Sequence, residues 1–211
     1  MSFFDKVDMT KRVKKPAAIN LSKSGDFHSI DLTKKTGELL VNLQWNSTIE
    51  KEGILSFLAK STLDLDLGCM YRLKDGSQGV IQALGDSFGS LSASPYISLD
   101  KDDRTGLSAD GENLRFTKME VLDFVVVFAF IYEGAPNWDT AKGIVTVRQQ
   151  GGADIIIKLD SPDKGKIMCA LIKIENKNNQ LVVTKLEKYF GGHKELDKAY
   201  GFGFDWTAGK K

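Results

Sequence analysis

The chain has 211 residues, 42% hydrophobic and 27% charged, the proportions of a globular domain large enough to bury a real core. Its 29 basic and 28 acidic residues leave a formal charge of +1, so the global electrostatic footprint of a nucleic-acid or anionic-membrane binder is absent. No apolar run reaches the ~20 residues of a membrane span, Met1-Ser-Phe-Phe-Asp5 lacks the basic and apolar regions of a signal peptide, and two cysteines in apolar strand-like stretches, Cys69 and Cys169, fit buried thiols in a reducing cytoplasm.

Residues 1–16 read as a flexible basic arm carrying Lys6, Lys11, Arg12, Lys14 and Lys15. From Ala17 the pattern becomes short strands parted by turn residues. Strands are expected over Ala17–Leu21, Phe27–Leu32 and Glu38–Trp45, and Asn46–Ser61 reads as a linker with one or two helical turns near Ile54–Lys60. Leu63–Leu73 alternates: Leu63, Leu65 and Leu67 share one face, Asp64 and Asp66 the other. Two aspartates on one strand face are unusual, because Asp is a poor strand former and like charges repel. A cation against that face relieves the repulsion, and so does an exposed edge. Lys74-Asp-Gly-Ser77 is a hairpin signal leading to a return strand, Gly79–Leu84.

Gly85-Asp-Ser-Phe-Gly89 matches the Gly-x-Ser-x-Gly of a hydrolase nucleophile elbow, which needs a strand before the serine and a helix after it. A loop, Ser90–Pro95, follows instead, and a Ser87 nucleophile has only His28 or His193 as a base.

The most distinctive stretch is the acidic loop between Leu99 and Phe116. It places Asp100, Asp102, Asp103, Asp110 and Glu112 close together, punctuated by Gly106 and Gly111. Hard cations such as Ca²⁺ take six to eight oxygen ligands, and glycines let such a loop fold back on itself. A solvated polar turn is the competing reading. The spacing is not that of an EF-hand: counted from Asp100, position five is Arg104, six is Thr105 and twelve is Gly111. A calcium site here is therefore built on a β scaffold.

Val121–Tyr132 is dense in β-branched and aromatic residues and reads as the central core strand. Strands over Gly143–Gln149, Ala153–Leu159, Lys166–Ile174 and Leu181–Leu186 follow, the last two as a hairpin. Gly192–Tyr200 reads as a short helix. The aromatics of Gly201-Phe-Gly-Phe-Asp-Trp206 either pack back on the domain or mark a partner contact. The predicted fold is an all-β antiparallel sandwich with a long acidic loop and a short C-terminal helix. It divides into the arm 1–16, a domain 17–201 and a tail 202–211.

Leu40-Val-Asn-Leu-Gln-Trp45, Leu63-Asp-Leu-Asp-Leu-Gly-Cys69, and Asp102-Asp-Arg-Thr-Gly106 with Asp110 and Glu112 together resemble the TerD family of tellurium-resistance proteins. Val125–Ile131 is similar to that family's apolar strand after the loop. Tyr189-Phe-Gly-Gly192 and Ala199-Tyr-Gly201 resemble its closing motifs. The resemblance implies a calcium-binding β-sandwich of a bacterial cytoplasmic stress response to tellurite and other oxidants, acting by binding rather than catalysis. It implies one or two Ca²⁺ ions held by Asp64, Asp66, Asp102, Asp103, Thr105, Gly106 (through its carbonyl), Asp110 and Glu112. It also implies partners among other stress-response proteins, no nucleic acid and no membrane span, leaving peripheral contact with a lipid surface open.

The chain departs from the family pattern at Lys101-Asp-Asp103, where a lysine and a second carboxylate replace Gly and Asn. The acidic run is shortened to Leu107–Glu112, which puts a second ion in doubt, and Asp86 stands where the family often has an Asn pair. Four functional readings compete: the calcium-binding stress protein, a sandwich interaction module that has lost the metal, a Ser87 hydrolase, and an oxidant scavenger using Cys69 and Cys169.

Overall fold

A computed structural model describes residues 15–33, 37–46, 48–49, 61–100, 111–133, 138–160, 163 and 165–207. The first described elements are β1 (Ile19–Leu21), β2 (Phe27–Asp31) and β3 (Leu39–Gln44). The short pair β4 (Thr48–Ile49) and β5 (Ser61–Thr62) precedes β6 (Asp64–Leu73), which turns into β7 (Gln78–Gln82). Next come β8 (Gly89–Ser90), β9 (Ile97–Leu99), β10 (Glu112–Phe116) and the long β11 (Leu122–Glu133). A single helical turn, α1 (Trp138–Ala141), leads to β12 (Ile144–Gln149), β13 (Ile155–Lys158), β14 (Met168–Lys177) and β15 (Gln180–Phe190). Helix α2 (His193–Tyr200) follows.

The strands form two main sheets. One runs β1-β13-β12-β3-β10-β9-β8, the other β2-β15-β14-β11-β6-β7. Pairing is antiparallel except for β1 on β13, which is parallel. The expected all-β sandwich is the observed fold. The short strands β8 and β9 were not expected, and β15 runs four residues further than the Leu181–Leu186 pattern indicated. The β14–β15 hairpin turns through Asn178 and Asn179, with φ of 51° and 62°, the left-handed pair that a two-residue turn of matching twist requires.

Between the sheets lies one core. Leu65, Leu67 and Cys69 of β6 enter it, with Val125, Val127, Ala129 and Ile131 of β11 and Val41 and Leu43 of β3. The other face of the β11 sheet carries a second core: Met70, Val126, Phe128, Phe130, Met168 and Phe190, closed over by Leu196 of α2 and by Phe202. Strand β11 is thus buried on both faces, which is why its sequence is almost continuously apolar rather than alternating. Gly68 permits this packing: a β-carbon there would stand 2.6 Å from the Phe128 ring and 2.8 Å from the Ile81 carbonyl.

The segment after α2 packs back on this outer face. Asp197, only 4% exposed, holds it down. Its carboxylate accepts the Gly203 N–H at 2.6 Å, the Phe204 N–H at 2.8 Å and the Trp206 indole N–H at 2.8 Å. Phe202 stacks on Phe204, and Trp206 meets Phe204 edge-on. Charge-assisted bonds to a buried carboxylate are among the stronger ones. Asp197→Ala is expected to cost roughly 3 kcal/mol and to red-shift Trp206 emission; urea melts followed by fluorescence check both.

Candidate functional site

Residues 101–110 lie outside the described residues; on either side of them β9 and β10 are antiparallel neighbours, Leu99 opposite Leu114 and Ile97 opposite Phe116, and form a hairpin. Its first stem is fixed twice. The Asp100 N–H donates to the Asn113 carbonyl at 2.9 Å, and the Asp100 carboxylate takes Arg115 Nε at 2.9 Å and Nη2 at 3.1 Å. Arg115 also reaches Glu38 at 2.7 Å. Asp100, an acid of the loop stretch, is therefore committed to an ion pair.

The second stem is Gly111-Glu112. Gly111 has φ 66°, and a β-carbon there would lie 2.1 Å from the Leu43 carbonyl oxygen, so only glycine fits. Glu112 points inward between the sheets and is 5% exposed. Its Oε2 accepts the backbone N–H of Leu67 on β6. The register explains why that N–H is available: β7 pairs with β6 only from Gly68 onward, Gly68 opposite Gln82. A buried backbone donor needs a partner, and the carboxylate of the opposite sheet supplies it.

Glu112 thus meets β6 at the peptide joining Asp66 to Leu67. Asp66 lies on the face shared with Gly68 and Met70, opposite Phe130, and is wholly buried; Asp64, opposite Glu133, is half-buried. The exposed-edge account of the Asp64–Asp66 pattern fails for Asp66. A wholly buried carboxylate is costly unless a donor or cation compensates it. Of the residues expected to hold calcium, Asp64 and Asp66 lie on the outer face of β6 and Glu112 points between the sheets, meeting β6 only at the Leu67 N–H, whereas Asp102, Asp103, Thr105, Gly106 and Asp110 lie outside the described residues. Among the described residues no group of three or more His, Cys, Asp or Glu side chains is set to hold a metal.

The rival sites are otherwise occupied. Ser87 follows a turn, leads into β8 rather than a helix, and donates its hydroxyl to the Val80 carbonyl at 2.6 Å. His193 bonds Gln82 Oε1 at 2.9 Å. Gln82 Nε2 donates to the Leu84 carbonyl, so its Oε1 faces the imidazole and Nε2 of His193 carries the proton. The strand–serine–helix geometry of a nucleophile elbow is not formed. Cys69 and Cys169 are both wholly buried, and burial pushes both thiols well above their ordinary pKa. Such thiols are unreactive.

One charged cluster went unmarked in the sequence. Lys185 and Glu187 of β15 point into the sandwich, with side chains 1% and 2% exposed, and pair at 2.9 Å. They continue the inward alternation of Leu181 and Val183, and that parity was the available signal. They sit at a β-bulge: Ile172 faces Lys185 while Ala170 faces Lys188.

The fold and this site define a β-sandwich in which the Glu112 carboxylate at the start of β10 bridges the two sheets. No family profile matches the chain. It is 37% identical over 210 residues to the tellurium resistance protein TerA of an Alcaligenes species, across 98% of this chain and 58% of the relative. The chain is therefore homologous to a tellurium resistance protein and spans under two thirds of that relative's length.

Two outcomes are expected. Native protein should react with a thiol reagent such as dithionitrobenzoate only at the rate of unfolding, while denatured protein titrates both cysteines at once. The second concerns His193, whose ring packs against Phe128, Phe130 and Trp206 and whose pKa burial lowers to about 4. Between pH about 6.5 and about 4 the unfolded chain takes up this proton and the folded chain refuses it. Stability should fall through that window, by up to roughly 3 kcal/mol from this group. His193→Phe should flatten the slope measured by urea melts at stepped pH.

Proposed function

We propose that the chain is a calcium-binding protein of a tellurite and oxidant stress response, acting by contact with partner proteins rather than by catalysis. The tellurium-resistance homology supports the physiological role. The observation that supports the calcium reading is Glu112, buried and bound to the N–H of Leu67, which follows Asp66 in the chain. Asp64, Asp66 and Glu112 would join the loop's Asp102, Asp103 and Asp110, with Thr105 and the Gly106 carbonyl, in an oxygen-only set. A bound ion supplies positive charge that relieves the repulsion among these acids.

Within this reading the chain's own residues do the positioning. Arg115 holds Asp100 out of the ligand set and fixes one stem; Gly111 and Glu112 fix the other. Ordering of the loop would then change the surface offered to a partner. A cytoplasmic location accords with the two buried, unbridged cysteines, and among the described residues no helix is long and apolar enough to cross a membrane. The rival reading, an interaction module without metal, is favoured by one feature alone: the ion pair that removes Asp100 from the acids of the loop.

Calorimetric titration of chelator-stripped protein separates the two. A saturable calcium heat, weak with magnesium and absent in Asp102→Ala, is the expected result. The melting temperature should rise in step, since a ligand at a hundred times its dissociation constant adds about 2.7 kcal/mol of stability. No heat at millimolar calcium would remove the calcium reading and leave the interaction module.

A further inference from the structure

A second oxygen-lined site lies at another place in the sandwich, where β1, β13 and β15 meet. Four oxygens converge on the Lys185 ammonium: the Ser22 carbonyl at 2.9 Å, the Lys158 carbonyl at 2.8 Å, Asp160 Oδ1 at 3.1 Å and Glu187 Oε2 at 2.9 Å. Two are carboxylates and two are backbone carbonyls, drawn from three segments remote in sequence. The Lys185 side chain is 1% exposed. A cavity of about 440 Å³, lined by Ser22, Lys158, Asp160 and Lys185 among others, opens directly onto this group.

The backbone holds the site from the same side. Lys185 N–H donates to the Asp26 carbonyl and Gly25 N–H to the Lys185 carbonyl, both at 2.9 Å. Ser24 Oγ bonds the Leu186 carbonyl at 2.7 Å. The turn from β1 to β2 is thus wrapped on the bulge of β15, leaving the Ser22 oxygen aimed inward. The oxygens stand at hydrogen-bond range from nitrogen, longer than the 2.3–2.6 Å of calcium coordination. They suit an N–H donor.

We propose that these four oxygens form a cation-binding cage for a primary ammonium group, filled in this chain by its own Lys185, which acts as a tethered cation pinning the β1–β2 turn and the end of β13 to β15. Burial alone would lower the Lys185 pKa, but the bonds to Glu187 and Asp160 outweigh it and hold the ammonium above its ordinary value. Without the lysine the cage keeps two carboxylates and no cation, an arrangement that costs more than the pair itself supplies. The inference stands apart from the calcium reading, because it uses none of the residues of the acidic loop.

Chemical complementation tests it. Lys185→Ala deletes the equivalent of n-propylammonium and leaves its volume open beside the cavity. Lys185→Met keeps the stem and removes the charge. Both variants are expected to melt about 8–15 °C below wild type. Added n-propylammonium chloride should recover at least half of that loss in Lys185→Ala and nothing in Lys185→Met, where the stem is in place. Neither n-propanol nor tetramethylammonium chloride should recover it. Equal rescue by tetramethylammonium, no rescue of folded Lys185→Ala, or a Lys185→Met variant as stable as wild type would each overturn the proposal. If Lys185→Ala does not fold, wild type still decides: the caged ammonium should give a resolved, slowly exchanging signal in a lysine-optimised ¹H–¹⁵N spectrum, lost in Lys185→Met. Absence of that signal would overturn the proposal too.

Discussion

The contact between Glu112 and the Leu67 N–H crosses the gap between the two sheets. Everything at that end of the molecule depends on it. A carboxylate inside an apolar core is costly unless a donor meets it, and an unpaired strand N–H is costly for the same reason. Each removes the other's penalty. Because β7 pairs with β6 only from Gly68, the open stretch of β6 coincides with the place where Asp64 and Asp66 sit.

The opposite face obeys a different constraint. Sheet residues Val126, Phe128 and Phe130 would face water were it not for α2 and the Phe202–Trp206 segment. Asp197 ties that cover down through three donors, and His193 is kept neutral beneath Trp206. The cover is thus polar in its attachment and apolar in its effect. At the third place, around Lys185, the core again admits charge only where every polar contact is supplied. In all three, buried polar groups fix which segments meet.

Much of this was legible from the chain. The alternation in Leu63–Leu67 gave the inward face of β6, and the largely apolar run of Val121–Tyr132 marked a central core strand. The acidic loop stood out by composition. Strands β8 and β9 did not, because two or three residues carry no period; β9 is a strand through pairing with β10, and β8 through pairing with β9. Trp138–Ala141 is a single turn, too short for helical periodicity to show. Lys185 and Glu187 drew no reading, although their parity with Leu181 and Val183 pointed inward. The burial of Asp66 could not be read from β6 alone, since it depends on what lies over Phe130's face of the sheet. The likeness to tellurium-resistance proteins rested on short motifs, and homology along 98% of the chain now supports it at that level.

The most direct test of the central claim is a calcium titration followed by ¹H–¹⁵N correlation of the backbone amides. If Glu112 roots a calcium loop, the amides of residues 101–112 and of Asp66 and Leu67 should shift together and saturate, while those of β2 and β15 stay in place. Unshifted amides at Leu67 and Gly111 under saturating calcium, or small shifts scattered over the whole surface, would contradict it.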